Sequence, residues 1–205
     1  MFAALRQAWR RYLDSLPRDD EPPAVSDAAI RREMHPPHPA EVQQALADLA
    51  TLVTAHLPPE VAAKAAANLV RRLKPGVTPQ AALVAWARAH HGPKQRNLGL
   101  LVVDWKAREE LAWQAERIAK AHGVAADWAY DWRTDAGWEG WEARGDLPVS
   151  APLRSLAAHL QQRGLALRVV VDDDTAAAFA VKAADAARVD AAWAVLGIQM
   201  DAGSA

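Results

Sequence analysis

Carboxylates that follow two predicted strands are the residues of this chain best placed to do chemistry. Asp104 follows the apolar run 98–103, and three consecutive aspartates follow the apolar run 165–171. If the two strands are neighbours and parallel, these acids converge and could hold Mg²⁺ or Mn²⁺ through oxygen ligands, as in phosphoryl-transfer enzymes. Alternatively, Asp104 caps the next helix and the other acids form a solvated turn. The metal candidates are Asp104, Asp172 and Asp173.

A second candidate site is the stretch 98–146, which holds six of the nine tryptophans and ten carboxylates. Within it, residues 127–146 carry six acids against two arginines, a balance of −4. Tryptophan is enriched at binding hot spots, so an acidic, Trp-rich surface could bind a basic protein, a basic peptide or a sugar face. The alternative is that this segment folds back and covers the sheet. The candidate binding surface consists of Trp128, Trp132, Trp138, Trp141, Glu139 and Glu142.

Other catalytic signatures are missing. Cysteine is absent, which excludes disulfides, thiolate nucleophiles and Cys-ligated metal sites. The chain has no Gly-x-Ser-x-Gly elbow, no P-loop and no Gly-x-Gly-x-x-Gly turn. The seven histidines are expected to have structural roles, and the adjacent pair His90-His91 would point about 100° apart on a helix. We therefore expect no catalytic residues and no cofactor.

Composition and charge narrow the class of protein. The net charge is −1, with 13 Lys/Arg and 9 Asp/Glu in residues 1–96 but 11 and 16 in residues 97–205. A split of +4 and −5 lacks the concentrated basic face of a nucleic-acid binder. No apolar run approaches the roughly 18 residues of a membrane span. We expect a bacterial cytoplasmic protein.

The N-terminal half is predicted to be helical. Residues 2–16 form an amphipathic pattern that either docks on the protein or binds a membrane surface, and the Pro-rich residues 17–38 read as a linker with one short helix. Three further helical patterns follow, each with a proline near its first turn. They are Ala40–His56, Pro59–Leu73 and Pro79–His90. The predicted divisions are 1–38, 39–94 and 95–200.

The second half is predicted to mix helices and strands. The run 98–103 is a strand, residues 106–122 a helix, residues 127–132 a candidate edge strand, and residues 150–163 another helix. Two strands at 165–171 and 177–181 form a hairpin, and a last helix follows at 185–196. The fold class is therefore α+β: a helical N-terminal part followed by a small mixed-sheet α/β sandwich.

Residues 100–123 and the strand pair near 168–182 resemble an uncharacterised bacterial domain family of unknown function. In that family a strand ending in Asp-Trp-Lys leads into a helix with an internal Trp-Gln. The matching residues are Asp104-Trp105-Lys106 and Trp113-Gln114. The resemblance covers roughly residues 97–200; it implies a fold and a small accessory or immunity-like protein, but no catalytic residues.

These observations leave three functional hypotheses. The first is a non-enzymatic module that binds a basic macromolecule through the acidic, Trp-rich surface. The second is a metal-dependent hydrolase or nuclease that uses the strand-end carboxylates. The third is self-association through the helical N-terminal arm. Whether the protein is an enzyme depends on strand order, because strand order decides whether the carboxylates converge.

Overall fold

The computed structural model describes residues 36–90, 98–104, 110–131, 150–172 and 175–198. The chain divides into two units, Met1–Pro36 and Pro37–Ala205, and every element below lies in the second. The predicted amphipathic helix at 2–16, the linker and the short helix before residue 35 lie outside the described residues.

Three helices open the described part: α1 (Ala40–Val53), α2 (Pro59–Val70) and α3 (Pro79–Ala89). Proline occupies the first turn of α2 and α3, where a missing N–H costs no hydrogen bond. The Thr78 side chain caps α3 by accepting from the Ala81 N–H at 3.1 Å. All three predicted helices are present, and each ends one to three residues earlier than predicted.

The second half mixes strands and helices, and a 3₁₀ turn comes directly before the last described helix. The elements are β1 (Leu100–Asp104), α4 (Leu111–Ala121), α5 (Ser150–Gln161), β2 (Leu165–Asp172), β3 (Thr175–Lys182), the 3₁₀ turn Ala183–Asp185 and α6 (Ala186–Leu196). The predicted α+β fold class is confirmed.

The three strands form one sheet in the order β1-β3-β2. Both neighbouring pairs are antiparallel, so β1 and β2 run parallel to each other with β3 between them. The sheet is therefore antiparallel where a mixed sheet was predicted, because β3 inserts between the two parallel strands. As the central strand, β3 is buried along its length except at Lys182.

Helices cover both faces of the sheet and create two apolar cores. Alternate residues of β3 face opposite ways: Phe179 and Val181 join the core with α1, α2, α3 and α6, whereas Ala178 and Ala180 join the core with α4 and α5. In the first core, the Phe179 and Trp193 rings meet edge to face with centroids 5.9 Å apart. The continuous apolar sequence of β3 follows from burial on both faces.

Side chains form hydrogen bonds with backbone groups of both outer strands, β1 and β2. Gln114 of α4 accepts from the Val102 N–H at 2.7 Å and donates to the Val102 carbonyl at 2.8 Å, as a neighbouring strand would. On β2, Gln80 donates to the Val171 carbonyl, and the Arg168 guanidinium donates to the Leu167 carbonyl at 3.2 Å. Such side chains satisfy edge groups that could otherwise pair with another chain.

Over residues 127–131, the described part of the candidate edge strand at 127–132, no strand is present, since residues 124–131 have no regular secondary structure. The physical reason is that Gln114 already holds Val102 on the outer side of β1, while Trp128 packs toward α5. Among the described helices, none has the length and apolar character needed to cross a membrane.

Candidate functional sites

Of the acidic residues 127–146, the structure describes 127–131, which belong to the segment 124–131 that leads away from α4 after Gly123. Trp128 is half-buried against the core formed by α4 and α5, and its indole N–H donates to Ser155 Oγ at 3.3 Å. The Trp128 and Tyr130 rings stack with centroids 6.1 Å apart and an interplanar angle of 19°. The segment thus carries a stacked aromatic pair that is anchored to α5.

The acids of this segment face outward. Asp127 is 63% exposed and accepts from Arg163 Nη2 at 2.6 Å, with His159 Nε2 3.2 Å from the same carboxylate oxygen. Asp131 is also exposed. Because Arg163 offsets the charge of Asp127, the net negative charge of the surface depends on the acids from residue 131 onward.

Only one member of the predicted binding surface, Trp128, falls in the described part of the chain. Its partial burial agrees with the alternative in which the segment folds back on the protein, at least at this residue. The other five, Trp132, Trp138, Glu139, Trp141 and Glu142, lie outside the described residues.

The strand-end aspartates are brought to the same end of the sheet. Asp104, the last residue of β1, is in register with Thr175, and Asp172, the last residue of β2, is in register with the same threonine. Two strand spacings, about 10 Å, separate the two aspartate backbones. Asp173, the third metal candidate, lies outside the described residues.

An arginine contacts the threonine that is in register with both aspartates. Thr175 is 2% exposed, and the Arg88 guanidinium, from the last turn of α3, donates to its hydroxyl. A guanidinium group at this end of the sheet can bind an anionic oxygen. Within the described residues, no group of three or more His, Asp or Glu side chains could hold a metal ion.

A groove of about 310 Å³ runs along the outer side of β2. Its walls come from α5, from the first half of β2 and from the start of α6, and two arginines, Arg154 and Arg168, lie among them. Arg168 is engaged in a bidentate ion pair with Asp190 at 2.7 and 2.8 Å. None of the predicted site residues lines this groove.

The described elements define an α+β protein in which a three-stranded antiparallel sheet is covered by helices on both faces. The chain belongs to a domain family of unknown function, DUF6630, whose sequence profile matches residues 28–203. Membership in an uncharacterised domain family is thereby confirmed, and the match begins well before residue 97, so the family includes the helical part. No curated protein and no solved structure is significantly similar to the chain.

Proposed function

We propose that the protein is a non-enzymatic module that binds a basic macromolecular partner through the acidic, Trp-rich surface around residues 128–142. The observation that carries this proposal is the stacked Trp128–Tyr130 pair with exposed Asp127 and Asp131 on either side. Anchored aromatic rings lose little side-chain entropy on binding, and the acids that follow them in the sequence would attract a cationic partner.

The sequence that follows this pair extends the same chemistry. Residues 132–142 add three tryptophans and three acids against one arginine. Lysine and arginine side chains of a partner could stack on indole rings while pairing with the carboxylates, a combination that neutral surfaces do not offer. The proposed partner is therefore a Lys/Arg-rich protein segment, acting in the bacterial cytoplasm.

The test is binding of a fluorescent Lys/Arg-rich peptide to the full chain, measured by anisotropy at two salt concentrations. The double variant Trp138→Ala/Trp141→Ala should weaken binding about 30-fold or more, the loss expected for hot-spot residues. Trp113→Ala is the matched control, since Trp113 is a half-buried tryptophan of α4 beneath Arg117. Equal binding by wild type and double variant contradicts the proposal.

Folding must be separated from binding in this test. Circular dichroism and a urea unfolding curve on each variant show whether Trp138 and Trp141 belong to the core. If the double variant loses cooperative unfolding, these residues are structural and the proposed surface is wrong.

A second candidate is a metal-dependent hydrolase or nuclease that uses Asp104, Asp172 and Asp173. The observation in its favour is that Asp104 and Asp172 share a register partner at one end of the sheet. A rise in melting temperature with Mn²⁺ or Mg²⁺ that is lost in Asp104→Asn and Asp172→Asn would support it. Unchanged melting with both ions counts against it.

A further inference from the structure

Two histidines that are 66 positions apart in the sequence meet beside the first strand. His56 follows α1, and His122 is the C-cap of α4, so they come from helices on opposite faces of the sheet. Their ring centroids are 4.2 Å apart, and the rings are tilted by 38°. The pair therefore joins the two helical layers at the start of β1.

Gly99, which precedes β1, packs closely against both rings. A Cβ atom at this position would lie 3.1 Å from His56 Nε2 and 3.3 Å from His122 Nε2. Both contacts are tighter than most side chains allow, and the φ of +66° also favours glycine. One nitrogen from each imidazole thus lies close to the same glycine, where a larger residue would crowd both rings.

These imidazole nitrogens are buried but have no hydrogen-bond partner. His56 Nδ1, His56 Nε2 and His122 Nε2 are all unpaired. Backbone groups of Ala180 and of Val53 interact with His122 and His56, respectively, and favour one protonated nitrogen on each ring, which leaves a lone pair on the other. Buried polar atoms are normally satisfied, so an unpaired lone pair on each ring points to a bound group.

Both rings are in the form that binds metals. Burial lowers the pKa of His56, and burial together with the neighbouring His56 and Lys182 lowers the pKa of His122 to about 4. At neutral pH both imidazoles are uncharged, so a metal ion displaces no proton from either of them. The positive charge of Lys182 opposes a cation, but this side chain is exposed and well screened.

We propose that His56 and His122 form a two-histidine site for Cu²⁺ or Ni²⁺, with water completing the coordination shell. We assume metal–nitrogen bonds of about 2.0–2.1 Å. If the nitrogen–metal–nitrogen angle is about 90°, the centres of the two imidazole rings are about 4.5 Å apart; if the angle is tetrahedral, they are about 5.2 Å apart. The observed 4.2 Å is nearer the first value. Right-angled coordination is typical of Cu²⁺ and Ni²⁺, whereas Zn²⁺ favours the tetrahedron.

The experiment is thermal unfolding of the untagged full chain, first stripped with a chelator, in the presence of NiCl₂, CuSO₄, ZnCl₂ or MgCl₂. Ni²⁺ and Cu²⁺ at a hundredfold excess over their Kd should raise the melting temperature by about 5–10 °C. His56→Gln and His122→Gln should each abolish the shift. His90→Gln is the matched control and should keep it, because His90 is also half-buried with an unpaired Nε2 but is not part of the pair.

Three results would overturn the site: no shift with any ion, a shift that survives in both pair variants, or a larger shift with Zn²⁺ than with Ni²⁺. If either variant does not fold, electron paramagnetic resonance of Cu²⁺ bound to the wild-type chain decides the question. One Cu²⁺ per chain with two coupled nitrogens supports the pair, and any other nitrogen count contradicts it.

Discussion

Replacement of Gln114, a buried polar residue, should show how much its side chain stabilises the outer edge of β1. It is 1% exposed, and its amide pairs with both the N–H and the carbonyl of Val102. The substitution Gln114→Met keeps the length of the side chain and removes both hydrogen-bonding groups. Two backbone groups of a strand residue that is 7% exposed would then be left unpaired.

The expected loss follows from those two groups. A buried donor or acceptor without a partner costs about 1–3 kcal/mol, so two cost about 2–6 kcal/mol. Burial of the methionine side chain offsets part of this, which leaves about 3 kcal/mol. For a chain of this size, that loss corresponds to a fall in melting temperature of about 6–12 °C.

The assay is urea unfolding followed by circular dichroism, with Gln44→Met as the control. Gln44 lies on the exposed side of α1 and bonds only to Asp48 at 2.8 Å, so its replacement should change stability by less than about 0.5 kcal/mol. If Gln114→Met and Gln44→Met have the same midpoint, Gln114 does not act as a substitute strand and the reasoning is refuted.

Gln114→Glu gives an independent signature. At pH 7 a carboxylate can accept from the Val102 N–H but repels the Val102 carbonyl, and burial disfavours its charge. The pKa of this glutamic acid in the folded protein should therefore rise above its unfolded value. A raised folded pKa means that the folded state binds the proton more tightly, so the variant should gain stability as the pH falls from 7 toward about 4.3. A variant that is no more stable at pH 5 than at pH 7, relative to wild type, contradicts this.

Three further substitutions test other contacts. Burial and the nearby Arg72 lower the pKa of His90, so its neutral folded form should make the protein lose stability as the pH falls below about 6.5. His90→Gln should reduce that loss between pH 7 and 5 in urea titrations, and an unchanged loss would be inconsistent with it. Asp190→Ala removes the carboxylate that pairs with the Arg168 side chain, which is 11% exposed, and should cost about 1–3 kcal/mol; a loss under 0.5 kcal/mol in the same titrations would count against it. Trp86→Phe removes the indole hydrogen bond to a carbonyl of α2 and should cost about 1–2 kcal/mol, which calorimetry can measure against the wild-type protein.

The helices were predictable because their signals are local. Prolines mark the start of α2 and α3. Three glycines with φ near +70° end or follow helices, as their spacing after apolar helical patterns indicates: Gly123, Gly164 and Gly197. The apolar runs also identified all three strands. In contrast, acid and aromatic residues alternate too poorly at 127–131 to specify a strand, and there the structure has none.

Candidate sites depend on contacts that no local pattern contains. The prediction that Asp104 and Asp172 share one end of the sheet required β1 and β2 to be parallel. The two strands are parallel because each pairs antiparallel with β3, which lies between them. The presence of Arg88 at Thr175, in contrast, had no sequence signal, since 87 positions separate the two residues. His56 and His122 were each read as structural, because single histidines near helix ends do not predict a pair.

The sequence by itself determined the order and approximate limits of the described helices and strands, because capping residues and apolar periodicity act within a few residues of the chain. Only the tertiary structure decided which strands are neighbours, that Gln114 completes the edge of β1, and that two distant imidazoles meet over Gly99. The physical reason is that strand order and side-chain convergence depend on how whole helices pack on the sheet, and the free energy of that packing is summed over contacts between residues far apart in the sequence.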